Sequence, residues 1–181
     1  MAQKNFRRQS VTGFLDLLGS KAVTPGGGSA AALTAAIGIA LVEMAASING
    51  SGSAKARTLR RRMEILIDLD AARFSRLSAL YKRKEKGVVL QNALKACAEP
   101  PIKICEGAAI GVRLAKEEWP RTSRWLKSDL VEASVLLNAA FRSGLLNVEA
   151  NLALIKDKKY VADTRKKIAS WEKKWQKLPS S

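Results

Sequence analysis

Residues 54–82 read AKARTLRRRMEILIDLDAARFSRLSALYK. Leu59, Met63, Leu66, Phe74, Leu77 and Tyr81 fall at the spacing of one helical face. The segment therefore predicts one long helix from about Ala54 to Lys82, with that stripe as its apolar face. Asp70 lies on the same stripe, four residues from Leu66 and four from Phe74, whereas Asp68 points elsewhere. A carboxylate on an apolar face loses solvation, and its pKa rises toward the range useful for proton transfer. A structural reading stands beside the chemical one. Arg is abundant in the chain, and an Arg from a neighbouring helix would give Asp70 an ion-pair partner.

Working outward, the pattern stays helical. Val11, Phe14, Leu15 and Leu18 define a helix from Ser10 to a closing Gly19. Ser29 predicts the N-cap of an apolar helix running to about Ile48. Asn49 to Ser53 is a loop. Val88 to Ala98 predicts a helix that must stop near Pro100-Pro101, and Pro101 opens another to about Glu118. Trp119-Pro120 breaks that one, Ser128 caps a helix to about Ile155, and a last helix covers roughly Val161 to Gln176. No stretch alternates with β-branched enrichment. The expected fold is all-α, a bundle of about six to seven helices. At 181 residues it suits a single domain.

The charge narrows the function. Lys and Arg number 32 against 16 Asp and Glu, a net +16, which attracts polyanions such as nucleic acid, anionic lipid or a multiply carboxylated small molecule. The segment 156–177 alone holds nine basic and three acidic residues, the pattern of a solvated basic helix. With no His, His triads and His proton relays are excluded. Cys97 and Cys105 are too few for a zinc site or a disulfide framework, so no metal site is expected and a reducing cytoplasm is. The N-terminus does not read as a signal peptide. The apolar run from Ala30 to Val42 is 13 residues, too short to span a bilayer, so no membrane association is expected.

Two further features carry candidate chemistry. In Thr24-Pro25-Gly26-Gly27-Gly28-Ser29, three successive glycines precede a helix, freeing the backbone for positive φ and for close approach by a ligand. The helix start offers N–H donors to an anion. The loop lacks the Gly-Lys-Ser/Thr ending of a P-loop and the spacing of a dinucleotide fingerprint, and it also reads as a tight connector. On the helix from Asp129 onward, Asn147 and Asn151 share a face with Ala140 and Gly144. Their amides would bind a heterocycle or cross-link helices. Asp129, in the first turn, complements the helix dipole. It points the same way as Asn147 but lies eighteen residues, roughly 27 Å, along the axis, so a site using both needs two subunits.

Together these segments resemble the cyclodeaminase/cyclohydrolase family of folate enzymes. The resemblance rests on Phe14-Leu-Asp-Leu-Leu, then Pro25-Gly-Gly-Gly-Ser-Ala-Ala-Ala and the small-residue helix. It continues with Leu66-Ile-Asp-Leu-Asp70-Ala-Ala-Arg-Phe74, then Ser128-Asp129, Asn147-Val148, Asn151-Leu152 and Asp157. It runs in order from about residue 10 to residue 170. It implies an all-α, usually dimeric protein acting on the one-carbon unit between N5 and N10 of tetrahydrofolate, with no prosthetic group. It implies catalytic roles for Asp70 and Asp129, and substrate contacts from Pro25, Gly26, Gly27, Gly28, Ser29, Ser128, Asn147 and Asn151. The expected reaction is hydrolysis of 5,10-methenyltetrahydrofolate to 10-formyltetrahydrofolate. The alternatives are ring closure of 5-formimidoyltetrahydrofolate with loss of ammonia, a non-catalytic folate binder, or a nucleic-acid-binding protein. Nucleic acid is disfavoured because no recognised motif is present. Both one-carbon reactions need a proton-transfer group at the N5–C–N10 bridge, and without His a desolvated Asp leads. Folate glutamate tails, often several, fit the positive charge. The expected homodimer pairs antiparallel copies of the Asp129 helix, crossing near Ala140 and Gly144 and bringing one chain's Asp129 toward the other's Asn147.

Overall fold

The computed structural model describes residues 5–173. Among them are six α-helices: α1 (Val11–Leu18), α2 (Gly27–Ile48), α3 (Ala54–Lys82), α4 (Gly87–Glu118), α5 (Lys127–Leu152) and α6 (Lys158–Lys173). Short 3₁₀ turns over Phe6–Arg8 and Trp119–Arg121 accompany them. No strand occurs among the described residues. The all-α expectation holds.

Helix α2 is the hub, packing on α3, α4 and α5, while α6 packs on α4. Its small residues make this possible. Ala31, Ala32, Ala35, Gly38 and Ile39 are buried. An added Cβ at Gly38 would lie 2.9 Å from Leu137 Cγ, and one at Gly111 would lie 3.0 Å from Leu137 Cδ1. The α5 leucine thus seats on a glycine of α2 and a glycine of α4. Helix α2 spans 22 residues, longer than the 13-residue apolar run, and by length and composition it is long enough to cross a membrane. In the fold it is the core of the bundle, with half of that apolar window buried.

Several boundaries differ from the sequence expectations. Helix α4 runs unbroken through Pro100 and Pro101. Interior prolines remove backbone hydrogen bonds and crowd the preceding turn. Here both rings are fully buried and α5 packs closely at this point, with Gly144 leaving its would-be Cβ 3.3 Å from the Pro101 carbonyl oxygen. Tertiary packing offsets the local penalty, so two expected helices are one. Ser29 is not an N-cap. Gly26 caps α2 in an extended conformation, and the Ser29 hydroxyl is directed at α3. Nor does Ser128 cap α5, which starts at Lys127 behind Leu126, two residues earlier than such a cap would place it; the Ser128 hydroxyl donates to the Trp125 carbonyl oxygen at 3.2 Å. Helix α5 ends at Leu152 rather than Ile155. Ser10 does cap α1, accepting from the Gly13 N–H at 3.0 Å. Asp157 opens α6, accepting from the Tyr160 N–H at 3.0 Å and from Lys95 Nζ at 2.7 Å. The basic C-terminal segment is helical to Lys173, and its expected continuation lies outside the described residues.

Cys97 and Cys105 are both free and buried on α4. Eight residues of helix separate them by about 12 Å, beyond disulfide reach.

Candidate functional site

The first turn of α2 meets the middle of α3 at Gly28 and Asp70. A Cβ at Gly28 would lie 2.5 Å from Asp70 Cγ and 2.6 Å from Asp70 Oδ2. Only glycine lets the two helices close to this distance with the carboxylate between them. The glycines therefore serve close approach. None of the three carries positive φ, which is confined among the described glycines to Gly50, Gly52 and Gly87, so that part of the expectation is corrected.

Asp70 is held from α2. The Ser29 hydroxyl lies 3.2 Å from Asp70 Oδ2 and 2.9 Å from the Ile67 carbonyl oxygen, and the Ser29 backbone N–H also bonds the carboxylate. The partner is thus a serine of α2, not the arginine that the structural reading called for. Burial raises the Asp70 pKa above the ordinary aspartate value, and the two Ser29 hydrogen bonds pull the other way. Asp68, on another face as expected, accepts from the Phe6 N–H at 2.6 Å and pairs with Arg7.

A cavity of about 330 Å³ opens over Asp70. Its walls are Thr24, Gly26, Gly27 and Gly28 at the start of α2, Phe74, Leu77 and Tyr81 on α3, Cys97 on α4, and Asn147 and Asn151 on α5. The start of a helix presents N–H groups without intrahelical acceptors, so α2 lends the cavity donors and the positive end of a dipole. The Asn147 and Asn151 amides each donate one bond within α5, to the carbonyl oxygens of Ser143 and Asn147, both at 2.8 Å. An amide has two donors and an acceptor, which leaves further hydrogen-bonding capacity at the wall. Burial, with the Asp70 charge adding to it, pushes the Cys97 thiol up to about 11, so it stays neutral.

The fold thus brings together Asp70, Gly26, Gly27, Gly28, Asn147 and Asn151. Other expected site residues sit elsewhere. Pro25 is buried under the loop, after a cis Thr24–Pro25 peptide. Ser29 is fully buried behind the carboxylate and does not line the cavity. Ser128 is exposed and Asp129 half-buried at the opposite end of α5, about 27 Å from Asn147 at the rise of an α-helix. Ala140 and Gly144 are not on an outer face. Both are buried, Gly144 against Cys105 and Pro101 of α4, so they are not available for a crossing between copies. Phe74 and Tyr81 were expected in the apolar face of α3, yet they are 47% and 46% exposed and form the cavity rim. The sequence reading did not single out Cys97 or Leu77 as wall residues. An aromatic one turn beyond an aspartate on the same stripe was the one available signal.

Comparison with known proteins bears on the same residues. The profile of the family described as Formiminotransferase-cyclodeaminase matches residues 10–170. A methenyltetrahydrofolate cyclohydrolase of Methylorubrum extorquens is 26% identical, the match covering 88% of this chain and 87% of that protein. The crystal structure of a formiminotetrahydrofolate cyclodeaminase from Thermotoga maritima superposes with a TM-score of 0.88 at 24% identity, covering 92% of this chain and 90% of the other; that likeness is one of fold. The matched span takes in every wall of the Asp70 cavity, and with most of the chain inside it the protein belongs to the formiminotransferase-cyclodeaminase family.

Proposed function

We propose that the protein is a folate one-carbon enzyme that hydrolyses 5,10-methenyltetrahydrofolate to 10-formyltetrahydrofolate, with Asp70 as the proton-transfer group. The observation that carries this is the desolvated Asp70 carboxyl, fixed by α2 at the base of a cavity walled by helix-start N–H groups and two amides. The reaction needs a base to take a proton from water as its oxygen bonds the bridge carbon, and an acid to give a proton to N5 as the C–N5 bond breaks. A carboxyl with a raised pKa does both in turn. The Gly27 and Gly28 N–H groups and the Asn147 and Asn151 amides offer donors and acceptors to the heterocycle and to the oxygen developing at the bridge carbon. The names of the relatives from Methylorubrum and Thermotoga support both a cyclohydrolase and a cyclodeaminase, so ammonia release from 5-formimidoyltetrahydrofolate is the second reading. The cavity is at the small end of ligand pockets, which suits the fused rings and bridge. The p-aminobenzoyl-glutamate end then lies outside it, within the field of a chain of net charge +16. Extra glutamates on that end would strengthen the attraction.

The reading includes a symmetric homodimer and a cytoplasmic location, the latter supported by two free thiols. A shared site, with Ser128 and Asp129 of one chain beside the cavity of the other, remains part of it. Turnover of both folates by wild type and Asp70→Asn tests the core of the proposal. Hydrolysis of the methenyl substrate, falling on the order of 10²-fold or more in the folded variant, is the expected result. Near-normal turnover by Asp70→Asn removes Asp70 from the chemistry, and ammonia release without hydrolysis selects the second reading.

A further inference from the structure

The Ser29 hydroxyl sits between two acceptors, 2.9 Å from the Ile67 carbonyl oxygen and 3.2 Å from Asp70 Oδ2. A hydroxyl has one proton and two lone pairs, so it cannot donate to both at once. The Ile67 carbonyl lies inside α3, where the helix supplies it with a backbone donor. It remains bonded when the hydroxyl turns away. Ser29 has no solvent exposure and stands behind the carboxylate rather than on the cavity wall.

We propose that Ser29 is a positioning residue that serves both protonation states of Asp70 by turning its single proton between the Asp70 carboxylate and the Ile67 carbonyl. With Asp70 ionised, the hydroxyl donates to Oδ2. With Asp70 neutral and its proton on Oδ2, the hydroxyl donates to Ile67 and accepts the acid's proton in a hydrogen bond. No group other than the hydroxyl rotates, and no bond to Asp70 is lost as it takes up and gives back a proton. A side chain that only donates would lose its bond to the neutral acid, and one that only accepts would have none to the carboxylate. The other groups around Asp70 do not supply this. From α4, Cys97 faces it as a neutral thiol. From α3, Tyr81 lines the same cavity and Arg73 acts on Cys97. From α5 come only the uncharged amides of Asn147 and Asn151, and from the start of α2 only backbone N–H groups, which donate and cannot accept.

The inference rests on Asp70 being the proton-transfer group, and its test separates the two. Protein labelled with 13C at the aspartate carboxyl is titrated by NMR, the Asp70 signal being the one absent from Asp70→Asn. The pH profiles of kcat and KM are measured alongside. Ser29→Ala is expected to raise the Asp70 titration, because the bond lost from the carboxylate is charge-assisted and stronger than the one lost from the neutral acid, to lower kcat about 10- to 100-fold as the loss of a hydrogen bond to a charged group does, and to leave KM within about threefold. Ser29→Cys fills the site with a slightly larger side chain and only a weak donor, and repeats the comparison should alanine fail to fold. An unmoved Asp70 titration in the folded variant overturns the inference, as does unchanged kcat while Asp70→Asn is inactive. Should Asp70→Asn itself be active, the chemical role of Asp70 falls, while the carboxyl titration still decides whether Ser29 tunes it.

Discussion

Asp70 is opposed in its ionised form by burial and favoured by Ser29, and burial is the larger influence. A carboxyl whose folded pKa is raised holds its proton more tightly in the folded state than in the unfolded one. The resulting stability is fully present below the unfolded aspartate value of about 3.9 and is lost as pH rises through the folded pKa. Asp70→Asn has no such loss. Its melting temperature is expected to match wild type near pH 3.5 and to exceed it increasingly toward pH 8, while turnover collapses. Thermal melts across that range check the sign, and a gap that narrows with rising pH would contradict a raised pKa. The glycines beside Asp70 make a second contrast. Gly28→Ala drives a Cβ into the Asp70 carboxylate, whereas Gly27→Ala places one 3.8 Å from the Asn147 amide, an ordinary contact. Displacing a reacting group by about 1 Å costs on the order of 10²-fold. Gly28→Ala should lose that much turnover and Gly27→Ala only a few-fold. Equal losses, measured at saturating substrate, would deny the close approach its role.

At the scale of the helices, Leu137 on α5 packs against Gly38 of α2 and Gly111 of α4. Alanine at Gly38 gains about 1 kcal/mol of helix propensity, but its Cβ would lie 2.9 Å from Leu137 Cγ and 3.1 Å from the Ala133 carbonyl oxygen. The second is backbone and cannot swing aside. Overpacking of about 1–3 kcal/mol is expected to win, lowering the melting temperature by several degrees; a rise would show that α2 and α5 have room to part. The same packing explains what the sequence could and could not show. Helical periodicity identified α3 almost to the residue, because its stripe is a local pattern. The break at Pro100-Pro101 was misread, because the contacts that carry a helix across two prolines come from α5, forty residues on. Ser29 looked like a cap, because a serine after glycines has the local chemistry of one. Its actual partner, Asp70, is 41 residues away. Asp70 is legible from its stripe, whereas the half-exposed rim made by Phe74 and Tyr81 is not, because a stripe does not tell how far its neighbours extend.

The whole molecule leaves apolar surface uncovered where the proposed dimer would need it. Ala140 and Gly144 are consumed inside the subunit, but Val135 and Leu146 on α5 are 62% and 74% exposed. With Ala139 and Arg142 they form a flank at four-, three- and four-residue steps. Arg142 is tied sideways to Glu172 of α6 at 2.5 Å, leaving the two large apolar residues outermost. Antiparallel pairing of this flank with its twofold copy would centre near residue 140. Asp129 would then stand level with the partner's Asn151, because the two lie about eleven residues on either side of that centre, and about one helical turn from the partner's Asn147. Sedimentation at micromolar protein is therefore expected to give a dimer, and the double substitution Val135→Glu and Leu146→Glu a monomer with its helical circular dichroism intact. If Asp129→Ala and Asn147→Ala are each inactive, their mixed dimer collects both lesions in one site and leaves the other whole. Mixing should then restore up to about half of the activity per mixed dimer. A wild-type monomer would remove the assembly, and proven subunit exchange without recovery would confine the site to one chain and leave Asp129 as the acidic residue that complements the start of α5.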